Sequence, residues 1–339
     1  IFCKIIDNHI GGSFKIEAAE SYIITQQYIN NTAIVRTNFK NPKNEFEVLD
    51  FMTRYKLDDQ NFYSPPEIQR LIKPIKGLPK IKVLYNPTLE YANGKTKTYE
   101  KEDFIVSVFD EASYETLFLY TDIEKKKILE NKEFELSKPV YLNLSYNEKI
   151  DLPSLRKSEE EFIKTQDYWL NWCKKAPSFK SYNKEITRSS ITLKLLTFEK
   201  TGAVLAAATT SIPETIGEVR NWDYRFCWIR DASMVIKIIA KLGHQRIVKN
   251  FIDFIVNLIP NKNEKLQIMY GIDGQKNLTE KILKHLSGYK NSKPVRIGNA
   301  AYIQKQNDIY GILVDAIHFQ IEKFKDISYK HEQLWSIVK

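Results

Sequence analysis

Asn221-Trp-Asp-Tyr-Arg-Phe-Cys-Trp-Ile-Arg-Asp231 sets four aromatic side chains, Trp222, Tyr224, Phe226 and Trp228, among four charges, Asp223, Arg225, Arg230 and Asp231. An ordinary loop has little use for so many large rings, and an ordinary helix face does not interleave them so tightly with charge. Immediately afterwards Ala232, Val235, Ile236, Ile239 and Ala240 recur at helical spacing, and Gly243 stands where the helix should stop. The stretch therefore predicts an aromatic loop feeding a helix, with Arg230 and Asp231 at its mouth. Rings beside a fixed Arg/Asp pair suit a sugar, whose C–H face stacks on aromatics and whose hydroxyls each want a donor and an acceptor. A packed aromatic turn with a purely structural Arg–Asp ion pair fits the same residues, and composition alone does not choose between them.

The wider sequence does. Thr209–Asp231, TTSIPETIGEVRNWDYRFCWIRD, resembles the signature of glycoside hydrolase family 15, the glucoamylase and bacterial trehalase-like family. A second block, Met269–Gly311, is similar to the family's bacterial branch in YGIDG, EKILKHLSGY, SKPVRIGNAA and QKQNDIYG. Two long blocks in the right order are far more specific than a short motif. A weaker resemblance runs over residues 1–150, so the whole chain is involved.

The resemblance implies an N-terminal antiparallel β-sandwich followed by part of an (α/α)6 barrel. It also implies an exo-acting, inverting hydrolase that releases glucose from α-glucosides, glucoamylase-like or trehalase-like. Such enzymes cleave through an oxocarbenium-like transition state with two carboxyl groups roughly 6.5–9.5 Å apart, an acid and a base. The family's acid lies in a Gly-Ile-Trp-Glu-like motif and its base further on. Neither occurs here, and Leu334-Trp335-Ser336-Ile337 stands about where the pattern would lead into the acid motif. Both carboxylates are thus expected beyond Lys339, and this chain alone is expected to hydrolyse no glucoside. Glu280 is read as structural, in a helix opening.

What carries over is the sugar-holding part. Tyr224, Trp228, Arg230 and Asp231 match the family's Tyr-x3-Trp-x-Arg-Asp pattern. By resemblance Arg230 and Asp231 bind the outer hydroxyls of the terminal glucose, while Tyr224 and Trp228 border its ring. Arg296, Asn299, Gln306 and Asp308 are further candidates for the pocket or the layer behind it. For these, Arg296 could instead tie down a loop and Asp308 could pair with a lysine. Tyr270 is a possible extra stacking residue. The alternative reading is a truncated, inactive remnant that still binds carbohydrate.

Composition sets wider bounds. At 339 residues, 43% apolar and 27% charged, the chain is an ordinary globular protein of one or two domains. No apolar run reaches the roughly 18 residues of a membrane span. A formal net charge of +9 raises the possibility of nucleic acid. The lysines are scattered, however, and no zinc-finger or RNP pattern accompanies them. Cys3, Cys173 and Cys227 are far apart and odd in number, against a disulfide framework. No Cys/His cluster has zinc spacing, so neither metal nor cofactor is expected. The sequence starts at Ile1 without an initiator Met or a leader pattern, which reads as an incomplete N-terminus, so the missing leader says little about location; a cytoplasmic protein is the expectation.

In chain order, β-rich runs recur at Phe14–Ile16, Tyr22–Ile24, Ile34–Thr37, Ile81–Tyr85, Phe104–Phe109, Thr116–Tyr120 and Val140–Ser145. Turn residues punctuate them, with Asn93-Gly94 the strongest hairpin signal. This makes 1–150 a β-sandwich domain. Residues 151–184 are a linker region whose helix, near Glu159–Cys173, opens on a Ser158-x-x-Glu161 capping box. From 185 to 339 the pattern is helical, as in the first half of a barrel. Ile191–Phe198 leads into Ala203–Ala208 and stops at Pro213. Asp231–Leu242 and Ile247–Ile255 follow, the latter before Pro260. After the loop-rich 261–300 come a helix over Ile309–Ile317 and one more near the end.

Overall fold

The computed structural model describes residues 1–58, 61–110, 114–258 and 266–324, and divides between Trp172 and Cys173 into two compact units. In the first unit β1 (Ser13–Ala18), β2 (Ile23–Tyr28), β3 (Val35–Lys40) and β4 (Glu45–Phe51) come first. The short pair β5 (Tyr55–Lys56) and β6 (Phe62–Tyr63) precedes β7 (Glu67–Lys76), β8 (Lys80–Asn86), β9 (Thr96–Glu100), β10 (Ile105–Phe109) and β11 (Thr116–Thr121). Helix α1 (Lys125–Leu129), β12 (Phe134–Glu135), β13 (Val140–Tyr146) and α2 (Leu155–Cys173) complete it. One antiparallel sheet has eight strands in the order β2-β3-β4-β7-β13-β11-β10-β9, and a smaller one runs β1-β8-β12.

Side-chain alternation explains why the large sheet is buried on both faces. Phe46 and Val48 of β4, Ile72 of β7, Leu117 and Leu119 of β11 and Leu142 of β13 face one way. There they share a core with Ile16, Ile81, Val83 and Tyr85 of the small sheet. The intervening Leu49, Phe51, Leu71, Phe118, Tyr120 and Tyr141 face the other way and meet Leu155 and Phe162 of α2.

Every strand expected from the β-rich runs forms, and β4, β7 and β9 form in addition to them. β7 reads Glu-Ile-Gln-Arg-Leu-Ile-Lys-Pro-Ile-Lys, with a proline that argues against a central strand. Pro74 is accommodated because it lies opposite Phe46, where the β4–β7 register shifts. Two local expectations fail. Asn93-Gly94 makes no hairpin: Glu90–Ala92 already turn the chain in left-handed backbone conformations, and β8 and β9 belong to different sheets. Ser158 does not cap α2. The helix starts at Leu155, Ser154 Oγ accepts from Lys157 N–H (3.2 Å), and Ser158 is buried inside the helix.

The second unit contains α3 (Asn183–Leu195), β14 (Cys227–Trp228), α4 (Ile229–Lys241) and α5 (Gln245–Leu258). Then come β15 (Met269–Tyr270), β16 (Lys281–Ile282), β17 (Arg296–Ile297) and α6 (Asp308–Phe324). Helices α4, α5 and α6 pack together through Ile236 and Ile239, through Val248, Phe251 and Ile255, and through Ile309, Leu313 and Ile317. Gly243, at φ +85°, closes α4 with the left-handed residue that ends many helices. The helix expected to run on into Ala203–Ala208 stops instead at Leu195. Gly202 (φ +87°) turns the chain so closely past Asn250 that a Cβ would lie 2.3 Å from its carbonyl oxygen, and the alanines continue as an extended loop. The expected stop at Pro260 and the last helix, near Leu334–Ile337, lie outside the described residues. No described helix is long and apolar enough to cross a membrane.

Candidate functional site

The aromatic loop is pinned by three neighbours. Ala206, Ala207 and Ser211 donate their N–H groups to the carbonyls of Phe226 (3.0 Å), Tyr224 (3.0 Å) and Trp222 (2.9 Å). β14 pairs antiparallel with β15, and Ile229 N–H continues the ladder to Ile268 O at 2.9 Å. Behind the loop sits Asp223, whose side chain is fully buried. It accepts from Arg225 Nε and Nη2, both at 2.9 Å, and from Gly298 N–H at 3.1 Å. Such a charged, bidentate hydrogen-bonded pair fixes geometry as well as contributing energy.

Two of the candidate binding residues belong to this frame. Asn299 is buried, donating to Asp223 O (3.0 Å) and accepting from Ala301 N–H (3.0 Å). Arg296 Nη1 donates to Val219 O (2.9 Å), its guanidinium lies 4.4 Å from the Trp222 ring centre, and its Nε stands 3.1 Å from Glu280 Oε1. Both hold loops in place. Glu280 is structural as expected but opens no helix; it precedes β16, which pairs with β17. Tyr270 offers no exposed ring: it is buried and its hydroxyl accepts from Gln267 N–H at 2.7 Å.

The other candidates converge. Arg230, in the first turn of α4, reaches Asp231 Oδ2 at 3.2 Å, Gln306 Oε1 at 3.3 Å and Asp308 Oδ2 at 3.5 Å. Its guanidinium carbon lies 5.8 Å from the Trp228 ring centre, and the Tyr224 ring is 6.3 Å from Trp228, tilted by 57°. Asp308 thus pairs with an arginine, at the first turn of α6. The side chains of Arg230, Asp231 and Asp308 remain 35%, 43% and 47% exposed, so water or a solute reaches them. Ion pairs at this exposure contribute about 0–1 kcal/mol each. They orient the guanidinium more than they stabilise the fold. Trp228 is buried, and among the described residues its indole N–H has no acceptor.

Glu214 is a member that sequence reasoning missed. Its Oε1 accepts from the Tyr224 hydroxyl at 3.3 Å. Burial, then the charges of Glu214 and Asp231, raise the Tyr224 pKa, so the hydroxyl keeps its proton. The cluster therefore combines a cation between two carboxylates, an amide, a phenol and an indole face. That set can donate to and accept from hydroxyls, and the half-buried Tyr224, less buried than Trp228, is the ring that can meet C–H groups. Among the described residues no group of three His, Cys, Asp or Glu is placed to hold a metal.

Residues 180–339 match the model of the glycosyl hydrolases family 15, and residues 1–130 match that of the trehalase-like N-terminal region. A trehalase of Thermoplasma acidophilum is 31% identical over 348 residues, covering 100% of this chain and 58% of its own length. A trehalase of Mycobacterium tuberculosis is 32% identical over 284 residues, 80% of this chain and 41% of its own. The chain thus spans about half the length of the curated relatives it matches. A solved structure described as a candidate kojibiose phosphorylase from the human microbiome shares the fold at a TM-score of 0.55 and 10% identity, over 95% of this chain and 46% of that one. With residues 180–339 matching the one model, residues 1–130 the other, and trehalases at about 30% identity, the chain belongs to the glycosyl hydrolase family 15 type.

Proposed function

We propose that this chain supplies the glucose-holding part of an α-glucoside hydrolase, with trehalose as the preferred substrate. The observation that carries the reading is Arg230, set 5.8 Å from the Trp228 ring and held between Asp231, Gln306 and Asp308 where solvent reaches it. A terminal glucose would lay its C–H face toward Tyr224 and Trp228. Its outer hydroxyls would donate to Asp231 and accept from Arg230. The trehalases among its relatives favour trehalose over longer α-glucans. Arg296 and Asn299 serve the same site from behind, by holding the loop that presents the rings.

On this reading the first unit is the family's β-sandwich domain, and the second is the opening part of an (α/α)6 barrel. Hydrolysis is exo-acting and inverting. The test is binding of trehalose and glucose followed by tryptophan fluorescence. Saturable trehalose binding that Asp231→Ala weakens at least tenfold supports the proposal. Trehalose binding unaffected by Asp231→Ala refutes this site.

A further inference from the structure

Glu214 and Arg220 stand at the two ends of a short loop beside Tyr224. Glu214 N–H donates to Arg220 O at 3.3 Å and closes the loop on itself. Their side chains meet as well, with Arg220 Nη1 3.6 Å from Glu214 Oε2, while the Tyr224 hydroxyl donates to the other oxygen, Oε1, at 3.3 Å. The loop is fastened to the buried Ser292, whose Oγ accepts from Gly217 N–H (2.8 Å) and whose carbonyl accepts from Asn221 Nδ2 (3.3 Å). Asn221, itself buried, also donates to Glu218 O at 3.0 Å. The backbone is therefore held in one shape, yet the Glu214 and Arg220 side chains stay 45% and 73% exposed. An ion pair so exposed adds little to stability. What it offers is hydrogen-bonding capacity, because the carboxylate keeps lone pairs and the guanidinium keeps donors beyond their mutual contact.

Two arginine–carboxylate sets thus lie about one phenol. Arg230 with Asp231 and Asp308 is the first, and Arg220 with Glu214 is the second. The Tyr224 hydroxyl touches Glu214 and also feels the charge of Asp231, so neither set is remote from it. A disaccharide joins its two rings through a single oxygen, so the place for the second ring must adjoin the place for the first. In trehalose that second ring is again a glucose, which asks for the same donors and acceptors as the first. A phosphate beside Arg220 would be repelled by Glu214, and an ammonium group beside Glu214 would be repelled by Arg220. Neutral hydroxyls suit both, since each can donate to the carboxylate and accept from the guanidinium. We propose that Glu214 and Arg220 hold the second sugar unit of a neutral disaccharide, with Tyr224 shared between the two rings. The inference rests on the reading that Arg230 and Asp231 hold the first sugar. It makes Glu214 and Arg220 determinants of the preference for a disaccharide over free glucose.

The experiment is isothermal titration calorimetry of the full chain with trehalose and with D-glucose, alongside a thermal melt of each variant. The unaltered chain is expected to bind trehalose more tightly than glucose. Glu214→Ala should lower the ratio of the two affinities about tenfold, the worth of one hydrogen bond to a charged group. Arg220→Met should lower it several-fold. This second variant leaves the Glu214–Tyr224 bond in place, so it separates contact with the second sugar from an effect passed through Tyr224 to the first. A ratio that Arg220→Met leaves unchanged overturns the proposal, even where Glu214→Ala weakens both sugars together. Failure of the Arg230 site shows differently, as affinities for both sugars that Asp231→Ala leaves untouched. A chain that binds neither sugar removes both sites at once.

Discussion

Replacing Arg230 with methionine removes the guanidinium but keeps a chain of similar reach beside the Trp228 ring. Two quantities separate its possible roles. If Arg230 holds a glucose hydroxyl, the substitution deletes one charge-assisted hydrogen bond from a ligand-covered site, about 1.5–3 kcal/mol. Trehalose affinity should then fall about ten- to a hundredfold. The stability cost is bounded by the structure. The pairs with Asp231 and Asp308 involve side chains a third to a half exposed, so each contributes no more than about 1 kcal/mol. The contact with Trp228 adds about 0.5–1 kcal/mol at such exposure. Losing all three should lower the melting temperature by only a few degrees, at about 2–4 °C per kcal/mol for chains of 150–250 residues and less for longer ones. Tryptophan fluorescence titration with trehalose and a calorimetric melt on one preparation measure both. A large fall in melting temperature with intact affinity would refute the reasoning and leave Arg230 a structural ion-pair partner. Asp231→Asn against Asp231→Ala refines the result, since only the second removes the acceptors with the charge.

The frame behind the loop should respond in the opposite sense. Asp223→Ala breaks a buried bidentate pair and strands the Gly298 N–H, and should cost about 3 kcal/mol by urea unfolding; a loss below about 1 kcal/mol would contradict the frame. Gly298→Ala should destabilise by more than about 1 kcal/mol in the same assay, because φ is +73° and the new Cβ would lie 2.1 Å from Thr279 O. His244 gives a pH signature. Burial, then the charges of Lys175 and Lys194, depress its pKa from 6.5 to about 4. The folded state therefore refuses a proton that the unfolded state takes up, and stability present above pH 6.5 is lost as the pH falls toward about 4. His244→Gln should flatten the melting temperature against pH in that window, and an unchanged slope would exclude this residue as its source.

Much of this architecture is legible in the residues, for reasons that also explain the failures. Strands such as β8, β11 and β13 announce themselves through dense runs of β-branched, aromatic and leucine residues, and the α4–α6 helices through a buried stripe at helical spacing. β7 does not, since Glu67, Gln69, Arg70 and Lys73 interrupt its apolar residues and Pro74 falls at a register shift that only pairing with Phe46 reveals. The alanines 203–208 read as helix by propensity, yet the close pass of Gly202 against Asn250 overrides it. At the site, Tyr224, Trp228, Arg230 and Asp231 are a contiguous signal. Glu214 is not, because its partnership with Tyr224 depends on a loop doubling back over ten residues of sequence.

Arg225, Arg230 and Arg296 have the same side chain in the same two blocks of sequence, and their fates differ by what the fold places behind each. Arg225 meets the fully buried Asp223, so its fork is consumed by a single carboxylate. Arg296 meets the Val219 and Asn221 carbonyls, Glu280 and the face of Trp222, so its donors go to groups that tie down the loop. Arg230 alone of the three meets two carboxylates and an amide that stay in reach of solvent. Those carboxylates keep unused lone pairs beside the guanidinium, so a hydroxyl arriving there gains both a donor and acceptors. A ligand site needs that excess of hydrogen-bonding capacity, and a structural ion pair spends it. The two arginines that spend theirs hold the loop and its tryptophans still, so on the proposed reading the third would meet an incoming sugar with its geometry already set.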